Sequence, residues 1–430
     1  MNAKRLGTET PRQLRVLLTG AAMTPGFQGG ELTLGDLLQR GLAERGVEVL
    51  REGSRRSFPD LASFAVVPFD ATPARVTRYR RRLRELRPDA VIGFVDYDCS
   101  LVVAARKERI PILVCIQIYW PTCPVGTHYI EGRGPCFEPG LVRCVRHIAR
   151  APLSPNLGLP VSNLPAPIAL LLYLKILERP AALAQADALV ANSEFTATVL
   201  RSAGYERVHT IHNGVDTRLF AAAPWSESPK VVLYPVARPR QERKGYAHFV
   251  ELARQVRATH PNVTFRVLND PGDELFQGTP YLSHEELARE LRTDYLAVVP
   301  SVWDEPFGFV AIEAMSAGRP VVAYRVGGLP EIIEDGVSGR LVPRGNIQEL
   351  SRAVRELLDD ESAASRMGRA ARQRVEQKFD YELMVGRYFD LIQKLVGRAS
   401  PGSSAITQRT AEDAGRGGFP PPNRPSSPRP

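Results

Sequence analysis

Short apolar runs alternate with helix-length stretches through most of this 430-residue chain, and the alternation begins twice. The first series opens with an apolar run at 14–19, a glycine-rich loop and a helical pattern at 32–44. The second series opens with an apolar run at 231–236 and continues to about residue 358. Such alternation predicts parallel sheets covered by helices. We therefore predict an α/β fold of two tandem Rossmann-like, doubly wound domains, with ligands bound in the interdomain cleft at the carboxyl ends of the strands.

The alternation and the composition together predict four segments. Residues 1–190 form the first domain, 191–380 the second, with the boundary near 191–229, and 381–397 form a final helix. From 398 to 430 the chain turns to Gly, Pro, Ser and Arg, with almost no large apolar side chains. Such a segment cannot bury enough apolar surface to become ordered, so we expect a disordered C-terminal tail.

The sequence lacks the signals of secretion and of membrane spans. It contains no run of 18 uncharged apolar residues, and its first residues lack the apolar core of a signal peptide. All five cysteines lie between residues 99 and 144, too few for a disulfide scaffold in a chain of this length. We therefore expect a cytoplasmic protein.

The segment 300–320, PSVWDEPFGFVAIEAMSAGRP, carries the strongest chemical signal. It places Glu305 just after a strand and Glu313 eight residues later, inside a helix that the following glycine and proline end. Eight helical residues rise about 12 Å, so the two carboxylates flank the free amides at the helix entrance. Such amides bind phosphate, and carboxylates accept hydrogen bonds from sugar hydroxyls. The spacing therefore fits a sugar, a diphosphate and a ribose bound in a row.

The same segment resembles the Glu-x7-Glu signature of the family 4 glycosyltransferases, which are retaining enzymes of the two-Rossmann GT-B architecture. The resemblance covers nearly the whole second half, because 190–195 (VANSEF), 213–216 (NGVD) and 327–331 (GGLPE) follow the family's pattern in the right order. It implies a retaining, metal-independent glycosyltransferase that requires no cofactor. It also implies that the first domain binds the acceptor, that the second binds the donor, and that the helix at 381–397 crosses back to the first domain.

The resemblance assigns roles to particular residues. Glu305 would face the donor sugar and Glu313 would hold the ribose of a nucleoside diphosphate sugar. Backbone groups of four residues would contact the sugar and the diphosphate: Phe307, Gly308, Phe309 and Val310. The second partner would be a carbohydrate or a lipid-linked acceptor.

A basic turn after the strand at 231–236 resembles the family's phosphate-binding segment. Arg238 and Lys244 would stabilise the charge that gathers on a diphosphate leaving group, without a metal ion. The spacing here is one residue longer than in the family, so Arg240 and Arg243 are alternatives for the arginine role.

The glycine-rich loop before residue 32 resembles another donor-binding element of the family. Its glycines, Gly29 and Gly30, would let the backbone approach the diphosphate when the domains close. The alternative is an ordinary turn between a strand and a helix.

The first domain departs from the family pattern where many members have a His-Asp pair. Gln117 takes that place, and a glutamine can hydrogen-bond a sugar hydroxyl but cannot transfer a proton. His128 is a second candidate for the acceptor side, the alternative being a solvated loop histidine. Asp96 and Asp98 form a D-x-D triplet for which an acceptor role and a purely structural one both stay open.

The cysteine-containing region, which resembles a cysteine-rich insertion in some family members, offers a possible structural zinc site. Three thiols and one imidazole recur at short spacings, and three cysteines with one histidine are an accepted zinc ligand set. The four candidates are Cys123, Cys136, Cys144 and His147. Buried thiols beside a surface histidine are the alternative.

Residues 75–87 contain seven arginines, and the first 190 residues carry +8 of the net charge of +9. Either the arginines are solvated or, together with the apolar stretch at 164–177, they contact anionic lipid at the inner face of a membrane. Nucleic acid is not an expected partner, because few aromatic residues interleave with the arginines.

Two other functions stay open beside transfer. One is a donor-binding relative that has lost catalysis, and the other is a sugar-nucleotide epimerase of the same architecture.

Overall fold

The computed structural model describes residues 12–20, 30–53, 71–94, 99–136, 140–150, 165–223, 225, 230–236 and 240–399. Within these residues the chain forms two six-stranded parallel sheets and one short antiparallel hairpin. The central strands of both sheets are apolar throughout, which is typical of strands covered by helices on both faces.

The first sheet has the strand order β2-β1-β3-β4-β7-β8, and the hairpin β5–β6 lies outside it. Its strands and the hairpin are β1 Arg15–Gly20, β2 Glu48–Gly53, β3 Ala90–Phe94, β4 Ile112–Ile116, β5 Tyr129–Ile130, β6 Gly134–Pro135, β7 Ala188–Ala191 and β8 Val208–Thr210. The helices of this half are α1 Gly30–Glu44, α2 Pro73–Leu86, α3 Ser100–Glu108, α4 Leu141–Arg150, α5 Ala166–Leu183 and α6 Glu194–Ser202.

The second sheet has the strand order β11-β10-β9-β12-β13-β14. Its strands are β9 Val231–Tyr234, β10 Thr264–Val267, β11 Gln277–Gly278, β12 Leu296–Val299, β13 Val321–Tyr324 and β14 Gly339–Val342. The later helices are α7 Tyr246–Arg257, α8 His284–Leu291, α9 Phe309–Ser316, α10 Leu329–Ile332, α11 Ile347–Asp359, α12 Glu361–Lys378 and α13 Tyr381–Ala399.

The first domain extends further along the chain than the boundary at 190. Strand β8 pairs in parallel with β7, with Leu189 opposite Val208 and Ala191 opposite Thr210. Strand β7, helix α6 and strand β8 therefore form a complete βαβ unit at the edge of the first sheet. The connection to the second sheet follows residue 210, within the broader interval of 191–229.

Helix α13 returns from the second domain to the first. Its apolar side chains, among them Val385, Tyr388 and Ile392, are buried in the cluster that α1 forms with the first sheet. The expected tail from residue 400 onward lies outside the described residues.

None of the helices in the described ranges is long and apolar enough to cross a bilayer.

Candidate functional site

The motif segment forms a loop between the carboxyl end of β12 and the start of α9. Gly308 is the residue before the helix and has a φ of 125°, which residues with a side chain rarely adopt. A Cβ at this position would lie 2.5 Å from Cδ2 of Leu329. The φ angle therefore favours glycine here. The first amides of α9, which follow it, have no partner within their own helix. They present the positive end of the helix dipole to the cleft.

Glu305 is buried in this loop and holds an ion pair. Lys244 donates from Nζ to both carboxylate oxygens at 2.8 and 3.0 Å, and Ser301 donates from Oγ to Oε1 at 2.5 Å. Burial by itself raises the pKa of Glu305, but Lys244 and Ser301 outweigh it and bring the pKa below its usual value. Glu305 is therefore a carboxylate with a fixed orientation and a cationic neighbour.

Lys244 reaches Glu305 because its turn lies against the motif loop. The turn is a short 3-10 helix, Glu242–Lys244, that ends at Gly245 with a φ of 76°. A Cβ on Gly245 would lie 1.8 Å from the carbonyl oxygen of Pro300, so only glycine permits this approach. The ammonium also lies 4.9 Å from the ring centre of Trp303, a cation–π distance.

Glu313 is the fifth residue of α9, about one turn into the helix, and its side chain is buried. Nε2 of His284 lies 3.9 Å from its Oε1, and burial raises the pKa of Glu313 despite that neighbour. Nε2 of His284 also lies 2.8 Å from Oγ1 of Thr33, a residue of α1 in the first domain. Glu313 thus lies where the first domain reaches the second, with lone pairs that ligand hydroxyls can use.

The aromatic and aliphatic residues around Gly308 differ in what they can offer a ligand. The ring of Phe307 is buried against His212, Phe309 and Phe379, with ring centres 5.7 to 6.2 Å apart. Only its backbone can face the cleft. Phe309 and Val310 are half-buried at the first two positions of α9.

The structure separates two of the arginine alternatives. Arg240 donates from Nε to the buried carboxylate of Asp270 at 2.9 Å and is therefore engaged away from Glu305. Arg243 lies over Trp303, with its guanidinium carbon 5.2 Å from the ring centre. Arg238 lies outside the described residues.

The glycine loop and the D-x-D triplet are mostly beyond the described ranges. Gly30 is the first residue of α1, whereas Gly29, Asp96 and Asp98 lie outside the described residues.

Gln117 lies at the carboxyl end of β4 among other buried amides. Its Oε1 accepts from Nδ2 of Asn192 at 3.2 Å and from Nδ2 of Asn213 at 2.8 Å. Its Nε2 is buried and has no hydrogen-bond partner within the described part of the chain. Gln117 therefore carries one donor that the described residues leave unsatisfied.

The prediction that His128 acts on the acceptor is not supported by the geometry. The side chain is buried, Nδ1 lies 2.7 Å from the carbonyl oxygen of Cys136, and Nε2 lies 2.7 Å from Oγ1 of Thr122. With both ring nitrogens engaged, His128 holds together the loop that contains it. Burial also lowers its pKa.

The four candidate zinc ligands line one cavity, although they do not meet at a point. Cys123, Cys136, Cys144 and His147 all contribute to its wall. In the part of the chain that the structure describes, no three His, Cys, Asp or Glu side chains are gathered closely enough to hold a metal ion as they stand.

Three arginines of helix α2 form ion pairs with carboxylates of their own domain. Arg80 and Arg84 both pair with Glu108, at 2.6 and 2.8 Å, and Arg82 pairs with Glu52 at 2.8 Å. The solvated alternative therefore fits α2 better than a lipid-binding one.

Sequence reasoning did not identify Glu331 as a contact between the domains. Its carboxylate accepts hydrogen bonds from the backbone amides of Glu194 at 2.8 Å and Phe195 at 2.7 Å. It also lies 2.8 Å from Nε2 of His212. In the sequence, Glu331 is only the last residue of the GGLPE motif. Nothing in that motif indicates that its partner is a helix of the other domain.

Two family profiles match the chain one after the other. The profile described as Glycosyltransferase Family 4 matches residues 33–219, and that described as Glycosyl transferases group 1 matches residues 216–374. Their junction falls close to the passage between the two sheets.

Two curated relatives match through less than half of this chain. A glycogen synthase of Mycobacterium tuberculosis is 34% identical over 201 residues, which are 43% of this chain and 48% of that protein. An MMP alpha-(1->4)-mannosyltransferase of Mycolicibacterium hassiacum is 29% identical over 212 residues, 45% of this chain and 50% of that one. The chain thus spans about half the length of the curated relatives it matches.

Solved structures resemble nearly the whole chain. A sucrose-phosphate synthase from Thermosynechococcus elongatus superposes with a TM-score of 0.64 at 18% identity, over 90% of this chain and 100% of that one. Anabaena HepE in complex with UDP and glucose gives a TM-score of 0.62 at 17% identity, over 89% and 100%. This likeness confirms the predicted architecture of two tandem Rossmann-like domains.

Proposed function

Because this chain belongs to the family 4, group 1 glycosyltransferases, we propose that it transfers a sugar from a nucleoside diphosphate sugar to an acceptor, with retention at the anomeric carbon. The observation that carries the proposal is the Lys244–Glu305 ion pair beside the open amides of α9, with Glu313 about one turn into that helix. The Lys244–Glu305 pair, the N-terminus of α9 and Glu313 thus follow one another in the order in which a bound sugar, diphosphate and ribose would need them.

On the donor side, the reaction requires groups that stabilise negative charge on the leaving diphosphate. As the bond between the anomeric carbon and the diphosphate breaks, negative charge gathers on the departing phosphate oxygens. The ammonium of Lys244 and the dipole of α9 lie where they can stabilise that charge. These groups supply the positive charge without a metal ion, which is the basis for proposing a metal-independent reaction.

On the acceptor side, the reacting hydroxyl belongs to a molecule bound by the first domain. The acceptor hydroxyl forms the new bond to the anomeric carbon on the face that the diphosphate leaves, and its proton passes to a departing phosphate oxygen. Gln117 cannot take up that proton, but its unpartnered Nε2 can donate a hydrogen bond that orients a sugar hydroxyl. Its role here is therefore positioning.

A lipid-linked acceptor is supported by an apolar surface on the first domain. Leu170, Leu174 and Leu177 are exposed on one face of α5, and Leu141 and Val142 are exposed at the start of α4. Helix α4 also carries two exposed arginines, Arg143 and Arg146. Leucines beside arginines suit peripheral contact with an anionic bilayer at the cytoplasmic face.

The donor site is tested by thermal stabilisation with UDP-, GDP- and ADP-sugars in a buffer that contains a chelator. We expect one nucleotide class to raise the unfolding midpoint of the wild-type protein and to have much less effect on Glu313→Ala. Glu285→Ala, which removes an exposed carboxylate on α8, is the matched control and should respond like the wild type.

Transfer is tested with the nucleotide sugar that binds. Release of the nucleoside diphosphate in the presence of an acceptor, with a product whose anomeric configuration matches the donor by NMR, supports the proposal. Binding without release over a panel of acceptors would instead indicate a donor-binding protein without transfer. Epimerised nucleotide sugar would indicate an epimerase.

A further inference from the structure

We propose that the loop region between β4 and α5 binds one zinc ion, through the thiolates of Cys123, Cys136 and Cys144 and the imidazole of His147. The four side chains line one cavity whose wall includes neither Lys244 nor Glu305. Three sulfurs and one imidazole nitrogen form a structural zinc set, whereas hard cations such as Mg²⁺ prefer oxygen. The proposal does not depend on glycosyl transfer.

A backbone amide is directed at the sulfur of Cys123. The amide of His128 donates to its Sγ at 3.5 Å. The left-handed φ angles of Gly126, 74°, and His128, 48°, curl the backbone around the sulfur. Concave arrangements of amides favour anions. A buried thiolate at this position would still need a cation as its partner.

The other half of the set comes from one helix. Cys144 and His147 are three residues apart in α4, so they lie on the same face, and both contribute to the cavity wall. Zinc binds the neutral form of an imidazole. Cys136 completes the set from the residue that follows β6.

The structure also distinguishes the two histidines of the cavity. His128 is engaged at both ring nitrogens, by Thr122 and by the carbonyl oxygen of Cys136, so it supports the loop and is not a ligand. Because the four ligands line the wall without converging, zinc binding requires their side chains to turn inward between staggered rotamers. Zinc displaces the thiol protons to solvent, and no oxidation or reduction takes place.

The ion would fix a loop region that contacts the donor domain on its opposite side. Tyr119, Cys123, Tyr129 and Trp303 form one buried cluster, and Trp303 belongs to the motif loop. Tyr119 donates from its hydroxyl to the carbonyl oxygen of Asp304 at 3.0 Å. Zinc bound to Cys123 would therefore hold the cluster against the residue next to Glu305.

A second contact joins the same region to the turn that carries Lys244. The hydroxyl of Tyr129 donates to Oε1 of Glu242 at 2.9 Å, and the amide of Gly132 donates to the same oxygen at 2.8 Å. Loss of zinc should thus loosen both sides of the Lys244–Glu305 pair.

The primary test is the metal content of the full-length protein. Purified wild type, reduced and then dialysed, should contain about one zinc per chain by plasma mass spectrometry. Cobalt exchanged into it should show sulfur-to-cobalt charge-transfer absorption and the d–d bands of a tetrahedral site. These measurements need no variant, so they remain valid if a variant fails to fold.

Variants then identify the ligands. Cys136→Ser and His147→Ala should lose most of the metal, whereas His147→Cys should retain it because four cysteine thiolates are also a zinc set. Cys115→Ser is the matched control, since Cys115 is a buried thiol that contacts the Tyr388 hydroxyl at 3.3 Å, away from the cavity, and it should keep full metal content.

Three outcomes would overturn the proposal. The first is that the wild type takes up no zinc after reconstitution, and the second is that Cys136→Ser binds as much zinc as the wild type. The third is that the mass of the protein is lower by two hydrogens because two cavity cysteines form a disulfide. The last would make the cluster a redox pair. Each can be obtained without a glycosyl transfer assay, so failure here and failure of the proposed function are distinguishable.

Discussion

Substituting Glu331 by alanine should weaken donor binding through domain closure. Glu331 belongs to the second domain, yet its carboxylate accepts the amides of Glu194 and Phe195 at the start of α6 in the first. Helix α6 keeps its own cap in any case, because Ser193 accepts the amide of Thr196 at 3.0 Å. The contact of Glu331 therefore contributes to holding the domains together more than to folding the helix.

The size of the effect follows from the bonds lost. A side-chain cap at a helix N-terminus contributes about 0.5–2 kcal/mol, and a negative charge near the helix dipole about 0.3–1 kcal/mol. The side chain of Glu331 is 22% exposed, so the charge contribution should fall toward the lower end. A total of about 1–2 kcal/mol corresponds to roughly a 5–30-fold change in the closure equilibrium. The Kd of the nucleoside diphosphate should rise by about that factor.

The assay is calorimetric titration of the nucleoside diphosphate, together with the unfolding midpoint of the unliganded protein. Glu334→Ala is the matched control: it removes an exposed carboxylate three residues away that pairs with Arg374 of its own domain. We expect Glu331→Ala to weaken binding with little change in the midpoint, and Glu334→Ala to leave binding unchanged. A lower midpoint with an unchanged Kd, or equal effects of both variants, would refute the reasoning.

Three further predictions concern the donor site. Lys244→Met should lower the free energy of unfolding by about 3–5 kcal/mol, because it leaves the Glu305 carboxylate buried without its partner. Denaturant unfolding measures this loss. Adding Glu305→Gln to the same protein should restore part of the stability but not donor binding. Glu313→Gln should stabilise the unliganded protein, because burial raises the pKa of Glu313 in the folded state. The wild type therefore loses stability as the pH rises from the pKa of a glutamate in the unfolded chain, about 4.3, through the higher pKa in the folded state. The difference in unfolding midpoint should therefore grow with pH over that interval, while donor binding is lost; a constant difference would contradict the assignment. Gly308→Ala should cost about 1–3 kcal/mol through its φ of 125° and the clash with Leu329, measured by denaturant unfolding, with the donor Kd raised as the helix entrance shifts.

The architecture could be predicted because parallel strands buried on both faces appear in the sequence as unbroken apolar runs. The runs at Ala90–Phe94, Ile112–Ile116 and Leu296–Val299 are strands of the structure at nearly the predicted bounds. Sequence reasoning assigned no strand at Glu48–Gly53, because that edge strand contains charged residues that interrupt its apolar pattern. Edge strands carry a weaker pattern since one side is solvated.

The motif residues were accessible for a similar reason. Glu305, Gly308 and Glu313 lie in one short segment, and local geometry alone places two carboxylates on either side of a helix entrance. The ion pair of Glu305 with Lys244, 61 residues earlier, was not deducible from spacing, although both residues were candidates. Lys244 and Glu305 belong to separate βα turns. They meet because both turns follow the carboxyl ends of strands in the same sheet.

Local signals were misleading where a distant group decides the role. For the arginines of α2 the sequence left a solvated and a lipid-binding surface both open, and the structure pairs three of them with Glu52 and Glu108 from neighbouring elements. His128 suggested a reactive imidazole, but Thr122 and the backbone of Cys136 occupy both nitrogens. By itself the sequence determined the two sheets and the residues at their carboxyl ends, because periodicity and helix-terminal chemistry are local. Which of those residues are paired, buried or joined across the cleft was decided by tertiary structure, because each such partner comes from a distant part of the chain.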